Sequence, residues 1–156
     1  MVRKQTGDLE GWISLEGGVI RHISDSCGVW QLSVEDILLI AEETDESGPY
    51  GEDWRIVFAA STPVFHAASI SADGMMAVLA ELASGLGVEL VPELAASTTF
   101  ASRILYPTSS SGAPLYDYLE KKTWREWIWP APVRTELTDH AKEILQLPAS
   151  KRQVRD

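Results

Sequence analysis

The chain has 156 residues, enough for one domain with a buried core. Its 45% apolar content excludes a chain that is disordered over its whole length. The net charge is −10, and residues 31–102 contain twelve acids but only one base, Arg55. Nucleic acids and anionic membranes are bound through clustered Lys and Arg, so this charge distribution argues against both as partners.

The first 70 residues carry the signals of antiparallel strands. Residues 12–16 and 19–23 are β-prone runs joined by Gly17-Gly18, and two glycines can supply the positive φ angles of a tight hairpin turn. Further strands are predicted over residues 29–32, 36–42, 54–60 and 63–70. Just before the strand at 36–42, the sequence also allows a single helical turn near residues 34–35. The acidic, turn-rich stretch 44–53 is expected to be a long hairpin connection.

The clearest helix is predicted over residues 73–86. Apolar residues recur there at three- and four-residue spacing and define one apolar face. Ser71 or Asp73 is expected to cap the N-terminus of this helix. Gly85 or Gly87 is expected to end it by adopting a left-handed backbone.

The C-terminal part of the chain has weaker patterns. Residues 88–105 are ambiguous, because Pro92 can begin a helix but the Ser and Thr residues that follow weaken one. A short helix is predicted over residues 138–146. The other predictions are a loop at 108–112, extended segments at 114–119 and 124–129, and flexible tails at 1–8 and 149–156.

These elements predict a single α+β domain over residues 1–156, with a bent antiparallel sheet or partly open β-barrel packed by the helix. The order of elements over residues 11–87 resembles that of pleckstrin-homology-like domains, in which a curved sheet is closed by a helix. The resemblance implies clustered Lys and Arg on the first strands where a member of that family binds lipid phosphates. The first hairpin here carries Arg21, with Glu16 beside the turn, so we do not expect lipid binding.

Metal and phosphate motifs are absent from the sequence. The chain has neither a Cys-X-X-Cys nor a His-Glu-X-X-His pattern, and its histidines, His22, His66 and His140, are far apart. Its Gly-Leu-Gly stretch follows the predicted helix, whereas a phosphate-binding loop precedes one. We therefore expect no metal and no cofactor.

No motif identifies the chain as an enzyme. A Gly-X-Ser-X-Gly elbow is missing, and the serines at 109–111 have no base nearby in the sequence. Cys27 and His22 form a thiolate pair in one interpretation, whereas Cys27 is a buried, inert thiol in the other. A small enzyme in which His66 or His22 acts with a neighbouring acid therefore remains an alternative function.

A cluster of aromatic residues near the C-terminus is the most unusual feature of the sequence. Large rings can anchor an interface, because each buries a large area with little loss of side-chain entropy. The same rings can instead fill the core. The predicted contact residues are Tyr116, Tyr118, Trp124, Arg125, Trp127 and Trp129.

An acidic stretch is the second candidate contact element. It lacks the spacing of an EF-hand calcium loop, and it is expected to be either a specificity element of an interface or a solvated surface. Its residues are Glu42, Glu43, Asp45, Glu46, Glu52 and Asp53.

The first functional hypothesis is a non-enzymatic interaction module that self-associates as a homo-oligomer or binds another protein. An acidic antagonist of a basic protein, such as an immunity protein, is a further alternative. A cytoplasmic location is expected, because Cys27 cannot form an internal disulfide and no apolar run is long enough to cross a bilayer. Eight Arg against five Lys, with abundant Ala, indicates a bacterial source.

Overall fold

The structure is a computed structural model, and it describes residues 10–44, 54–60, 65–94, 101–118 and 135–145. These residues form an α+β fold with nine strands, paired antiparallel, and two helices. In this part of the chain the strands form three separate sheets and not a closed barrel. The predicted tails and the extended segment 124–129 lie outside the described residues.

The first sheet contains the predicted hairpin. Its strands are β1 (Trp12–Glu16), β2 (Val19–Ser24) and β3 (Gly28–Ser33), in the order β1-β2-β3. Gly17 and Gly18 have φ angles of 58° and 75°, which a side chain would disfavour. The prediction of a two-glycine hairpin turn is therefore confirmed.

The second sheet has the order β6-β5-β4-β7. Its strands are β4 (Ile37–Thr44), β5 (Arg55–Ala60), β6 (Phe65–Ser69) and β7 (Ala101–Tyr106). A 3-10 turn at Val34–Asp36 precedes β4, and β4 pairs antiparallel with β5. The end of the ambiguous stretch 88–105 thus belongs to a strand, β7 (Ala101–Tyr106), and not to a helix.

The helix α1 (Met75–Leu86) buries Met75, Val78, Leu79 and Leu82 and ends at Gly87, which has a φ of 66°. The prediction of a side-chain cap is wrong, because Gly74 is the N-cap residue and no side chain makes a capping hydrogen bond at this end of the helix. Asp73 instead uses its backbone to bond strand β1. A Cβ atom on Gly74 would lie 2.3 Å from the carbonyl oxygen of Ile13, so this close approach requires glycine.

The remaining elements lie at the C-terminal end of the described chain. A 3-10 turn at Thr108–Ser110 follows β7, and a small sheet pairs β8 (Tyr116–Tyr118) with β9 (Thr135–Leu137). The helix α2 (Asp139–Leu145) confirms the predicted short helix. Ala141 of α2 is fully buried.

The second sheet has an apolar cluster on each face, which explains the continuous apolar runs of its central strands. On one face, Ile40 and Phe58 join residues of the first sheet and of α1. On the other, Leu39 and Val57 pack with residues of β7 and α2. The first sheet, by contrast, has only one face against the core.

Candidate functional site

The outer face of the first sheet carries three large apolar side chains in a row. Trp12 is the register partner of Ile23, and Ile23 is the register partner of Val29. Paired residues of antiparallel strands lie on the same face, so these three side chains form a row across all three strands. Trp12 is 42% exposed, Ile23 is 55% exposed and Val29 is 76% exposed. We call these three residues the exposed row.

The alternation of side chains along the strands explains where the exposed row lies. Neighbouring residues of a strand point to opposite faces. Each member of the exposed row therefore has a sequence neighbour whose side chain lies on the inner face. Those residues are Ile13, His22 and Trp30; Ile13 and His22 are buried and Trp30 is half-buried. A sheet with one face in water normally carries polar residues there. A row of apolar residues in their place is typical of a contact surface.

Acidic residues border the exposed row. Asp73 forms a parallel bridge with Trp12, in which its carbonyl accepts the Ile13 N–H at 2.9 Å. Asp25 lies in the exposed turn two residues after Ile23, and Glu10 lies two residues before Trp12. Three acids therefore adjoin the exposed row, Asp73 across the backbone bridge and Asp25 and Glu10 along the chain.

Three rings stack beneath the exposed row. Trp30 lies between His22 and His66, with ring centroids 5.0 Å and 4.9 Å away and interplanar angles of 22° and 20°. The Trp30 indole N–H also donates to the carbonyl oxygen of Ala67 at 3.0 Å. Because His66 and Ala67 belong to β6, the stack joins the first sheet to the second.

The environment of His22 favours its neutral form. Its Nδ1 lies 3.0 Å from the carbonyl oxygen of Gly28, which can only accept, so the neutral ring carries its proton on Nδ1. Its Nε2 is buried and has no hydrogen-bond partner among the described residues. Burial lowers the pKa of His22, and the hydrogen bond to Gly28 opposes that shift. Burial also lowers the pKa of His66.

An ion pair whose carboxylate is fully buried and whose guanidinium is 19% exposed lies in the second sheet. Glu42 and Arg103 are register partners on β4 and β7, and Arg103 Nε donates to Glu42 Oε1 at 2.9 Å. The Trp54 indole N–H and the backbone N–H groups of Glu93 and Leu94 donate to the same carboxylate at 2.8–3.2 Å. These donors offset the cost of removing the Glu42 charge from water.

This arrangement corrects the role of two acids, Glu42 and Glu43, predicted to belong to the acidic contact stretch. Glu42 and Glu43 lie within β4, and the Glu42 side chain is fully buried. Glu42 is therefore a member of a structural ion pair and not a surface contact residue. The other acids of that stretch, Asp45, Glu46, Glu52 and Asp53, lie outside the described residues.

The structure also brings together a serine and a histidine that lie 30 residues apart. Ser110 Oγ is 2.7 Å from His140 Nε2, a spacing that resembles a nucleophile and its base. Ser110 is however only 6% exposed, and the N–H groups of Ser110 and Ser111 already bond the carbonyls of Pro107 and Thr108. Among the described residues no carboxylate bonds His140. The contact attaches α2 to the turn after β7.

The predicted aromatic contact segment is described only in part. Tyr116 is half-buried and packs against the apolar cluster beside α2. Tyr118 is the last residue of β8. The residues Trp124, Arg125, Trp127 and Trp129 lie outside the described residues, so their contact role stays a prediction.

No protein-family model, curated protein or solved structure matches this chain. In the part of the chain that the structure describes, neither helix is long and apolar enough to cross a membrane. The described residues also contain no group of three or more His, Cys, Asp or Glu side chains that could hold a metal ion.

Proposed function

We propose that this protein is a binding module that recognises another polypeptide through the exposed row. The observation that carries the proposal is the continuous line of Trp12, Ile23 and Val29 across the outer face of the first sheet. Tryptophan is enriched among the residues that dominate binding energies, and β-branched neighbours offer a flat apolar surface. A partner that covers this face would remove all three side chains from water.

The rigidity of the surface also supports a binding role. The residues behind the exposed row are packed in the core, and Trp30 is bonded across to the second sheet. A surface that is already ordered loses little entropy when a partner binds. The exposed row is therefore suited to binding without rearrangement.

Two finer features belong to the same proposal. The pleckstrin-homology-like fold is supported by six strands, β1 to β6, paired antiparallel in two sheets and followed in the chain by α1. The aromatic segment 116–129 is proposed as a second contact, on the strength of its sequence. A cytoplasmic location and a bacterial source are proposed on composition alone.

Selection of peptides from a random display library tests the proposal. The full chain serves as bait, and each selected peptide is measured against the Ile23→Ser/Val29→Ser variant. The matched control is Met76→Ser/Val91→Ser, which removes two apolar side chains, 65% and 54% exposed, that belong to neither the exposed row nor the strands of the first sheet. Thermal unfolding of each variant checks that the fold is kept.

We expect selected peptides to lose at least about tenfold in affinity for the first variant and to keep their affinity for the control. Failure to select any peptide, or equal loss in both variants, contradicts the proposal. Self-association is the other outcome, and sedimentation equilibrium detects it as a dimer that dissociates on Ile23→Ser/Val29→Ser.

A further inference from the structure

We propose that the segment bound by the exposed row is basic as well as apolar, with Lys or Arg next to a large apolar side chain. This inference rests on the proposed function and adds the chemistry of the partner. It is carried by the charges of the described residues, by the acids around Trp12 and by the pairing of every described base.

The described residues carry a strong excess of negative charge. They contain fifteen acids and four bases, which gives a formal charge of −11. All four bases lie within 4 Å of a carboxylate of the same chain. The pairs are Arg21 with Glu16 at 3.8 Å, Arg55 with Glu43 at 3.9 Å, Arg103 with Glu42 at 2.9 Å and with Glu93 at 3.5 Å, and Lys142 with Asp139 at 3.6 Å.

This pairing decides which charge the described surface offers to a partner. Each described base lies against a described carboxylate, whereas ten of the fifteen described acids have no described base within 4 Å. The charges of the described residues therefore favour cationic segments as partners over anionic ones. A second copy of the same surface carries the same sign of charge, which disfavours it as the occupant.

Two exposed acids, Asp73 and Asp25, also lie next to members of the exposed row. Asp73 is bridged beside Trp12, and it is exposed together with Asp25 in the turn beyond Ile23. The base on this face, Arg21, is matched by Glu16. A segment that places an apolar side chain on the exposed row thus lies near the exposed acids Asp73 and Asp25, which can contact its cationic side chains.

Three synthetic peptides of equal length test this inference by fluorescence anisotropy with the full chain. The first alternates Lys and Ile, the second alternates Glu and Ile, and the third alternates Lys and Ser. We expect the Lys–Ile peptide to bind at least about tenfold more tightly than either of the others. Its affinity should fall as salt is raised, because the carboxylates are exposed.

A pair of charge variants shows where the cations bind. Asp25→Asn/Asp73→Asn should weaken the Lys–Ile peptide by about threefold or more, since it removes carboxylates beside the exposed row. Glu81→Gln/Glu89→Gln changes the net charge equally at exposed positions outside the first sheet, and it should leave the affinity within about twofold.

The outcomes separate the inference from the proposed function. Equal binding of the Lys–Ser peptide, or equal weakening by both charge variants, overturns the inference. Tighter binding of the Glu–Ile peptide that is lost in Ile23→Ser/Val29→Ser overturns the inference but supports the proposed function. If no peptide binds in a manner that depends on Ile23 and Val29, both fail.

Discussion

The indole N–H of Trp30 donates to the carbonyl oxygen of Ala67 across 3.0 Å and so connects β3 of the first sheet to β6 of the second. Val29, the neighbour of Trp30, points to the opposite face and belongs to the exposed row. Strand β3 therefore presents an exposed apolar side chain on its outer side, while Trp30 bonds to the second sheet on its inner side.

Trp30→Phe should lower the free energy of unfolding by about 1–3 kcal/mol. The hydrogen bond to Ala67 is lost, and the smaller Phe ring leaves part of the space of the indole empty. Urea denaturation measures the change. Trp12→Phe is the matched control, since Trp12 is partly exposed, and it should change the free energy of unfolding by less than about 1 kcal/mol. Equal effects of the two substitutions would show that Trp30 does not join the sheets.

Stability should depend on pH through His22 and His66. Burial lowers the pKa of both rings from the ordinary value of 6.5, so the unfolded chain binds protons more readily than the folded one. Their contribution to stability is complete above pH 6.5 and is lost as the pH falls below 6.5 towards the folded pKa values. Denaturation at a series of pH values between about 5.5 and about 7.5 measures this loss.

The variant His22→Phe identifies the share of His22 in this pH dependence. Phe keeps an aromatic ring against Trp30 and has no proton to gain, so the fall in stability below pH 6.5 should become shallower. A wild-type protein whose stability does not change over this pH range contradicts the prediction, as does a variant with an unchanged slope.

Glu42→Gln should lower the free energy of unfolding by about 2–3 kcal/mol, because Arg103 loses the buried carboxylate at 2.9 Å and keeps only the exposed Glu93 carboxylate at 3.5 Å. The neighbouring Glu43→Gln is the control. Glu43 is half-buried and 3.9 Å from Arg55, so its substitution should lower the same quantity by less than about 1 kcal/mol. Similar losses in the two variants would mean that the Glu42 cluster adds little to the fold.

Ser110→Ala should lower the free energy of unfolding by about 1 kcal/mol through loss of the bond to His140. Ser109→Ala, at an exposed position in the same turn, should change it by less than about 0.5 kcal/mol. A fluorophosphonate reagent should leave the protein unlabelled when intact mass is measured. Covalent labelling of Ser110 would instead indicate a catalytic serine.

The parts of the fold that the sequence predicts are those with local signals. The hairpin follows from Gly17-Gly18, and α1 follows from the spacing of its apolar residues. Strand β7 is stabilised by pairing with β4, some sixty residues earlier, and only Ile104 and Leu105 of it are buried. Such a strand has no strong local pattern, and the sequence left it ambiguous.

The features of the candidate site likewise differ in whether a local sequence signal or a distant contact determines them. The exposed row follows from hairpin register, because a turn at Gly17-Gly18 places Trp12 opposite Ile23. The contact of Ser110 with His140 depends on how α2 docks, and nothing in the sequence near Ser110 indicates it. The burial of Glu42 likewise depends on a distant partner, Arg103, so an acid that resembled a surface residue is part of the interior.

Titration of the isotopically labelled full chain with the Lys–Ile peptide, followed by amide chemical shifts, locates the binding surface directly. Binding through the first sheet predicts the largest shift changes in β1, β2 and β3, around Trp12, Ile23 and Val29. Changes centred on β7 or α2, or spread evenly over the acidic residues with the exposed row unaffected, would show that this face is not the binding surface.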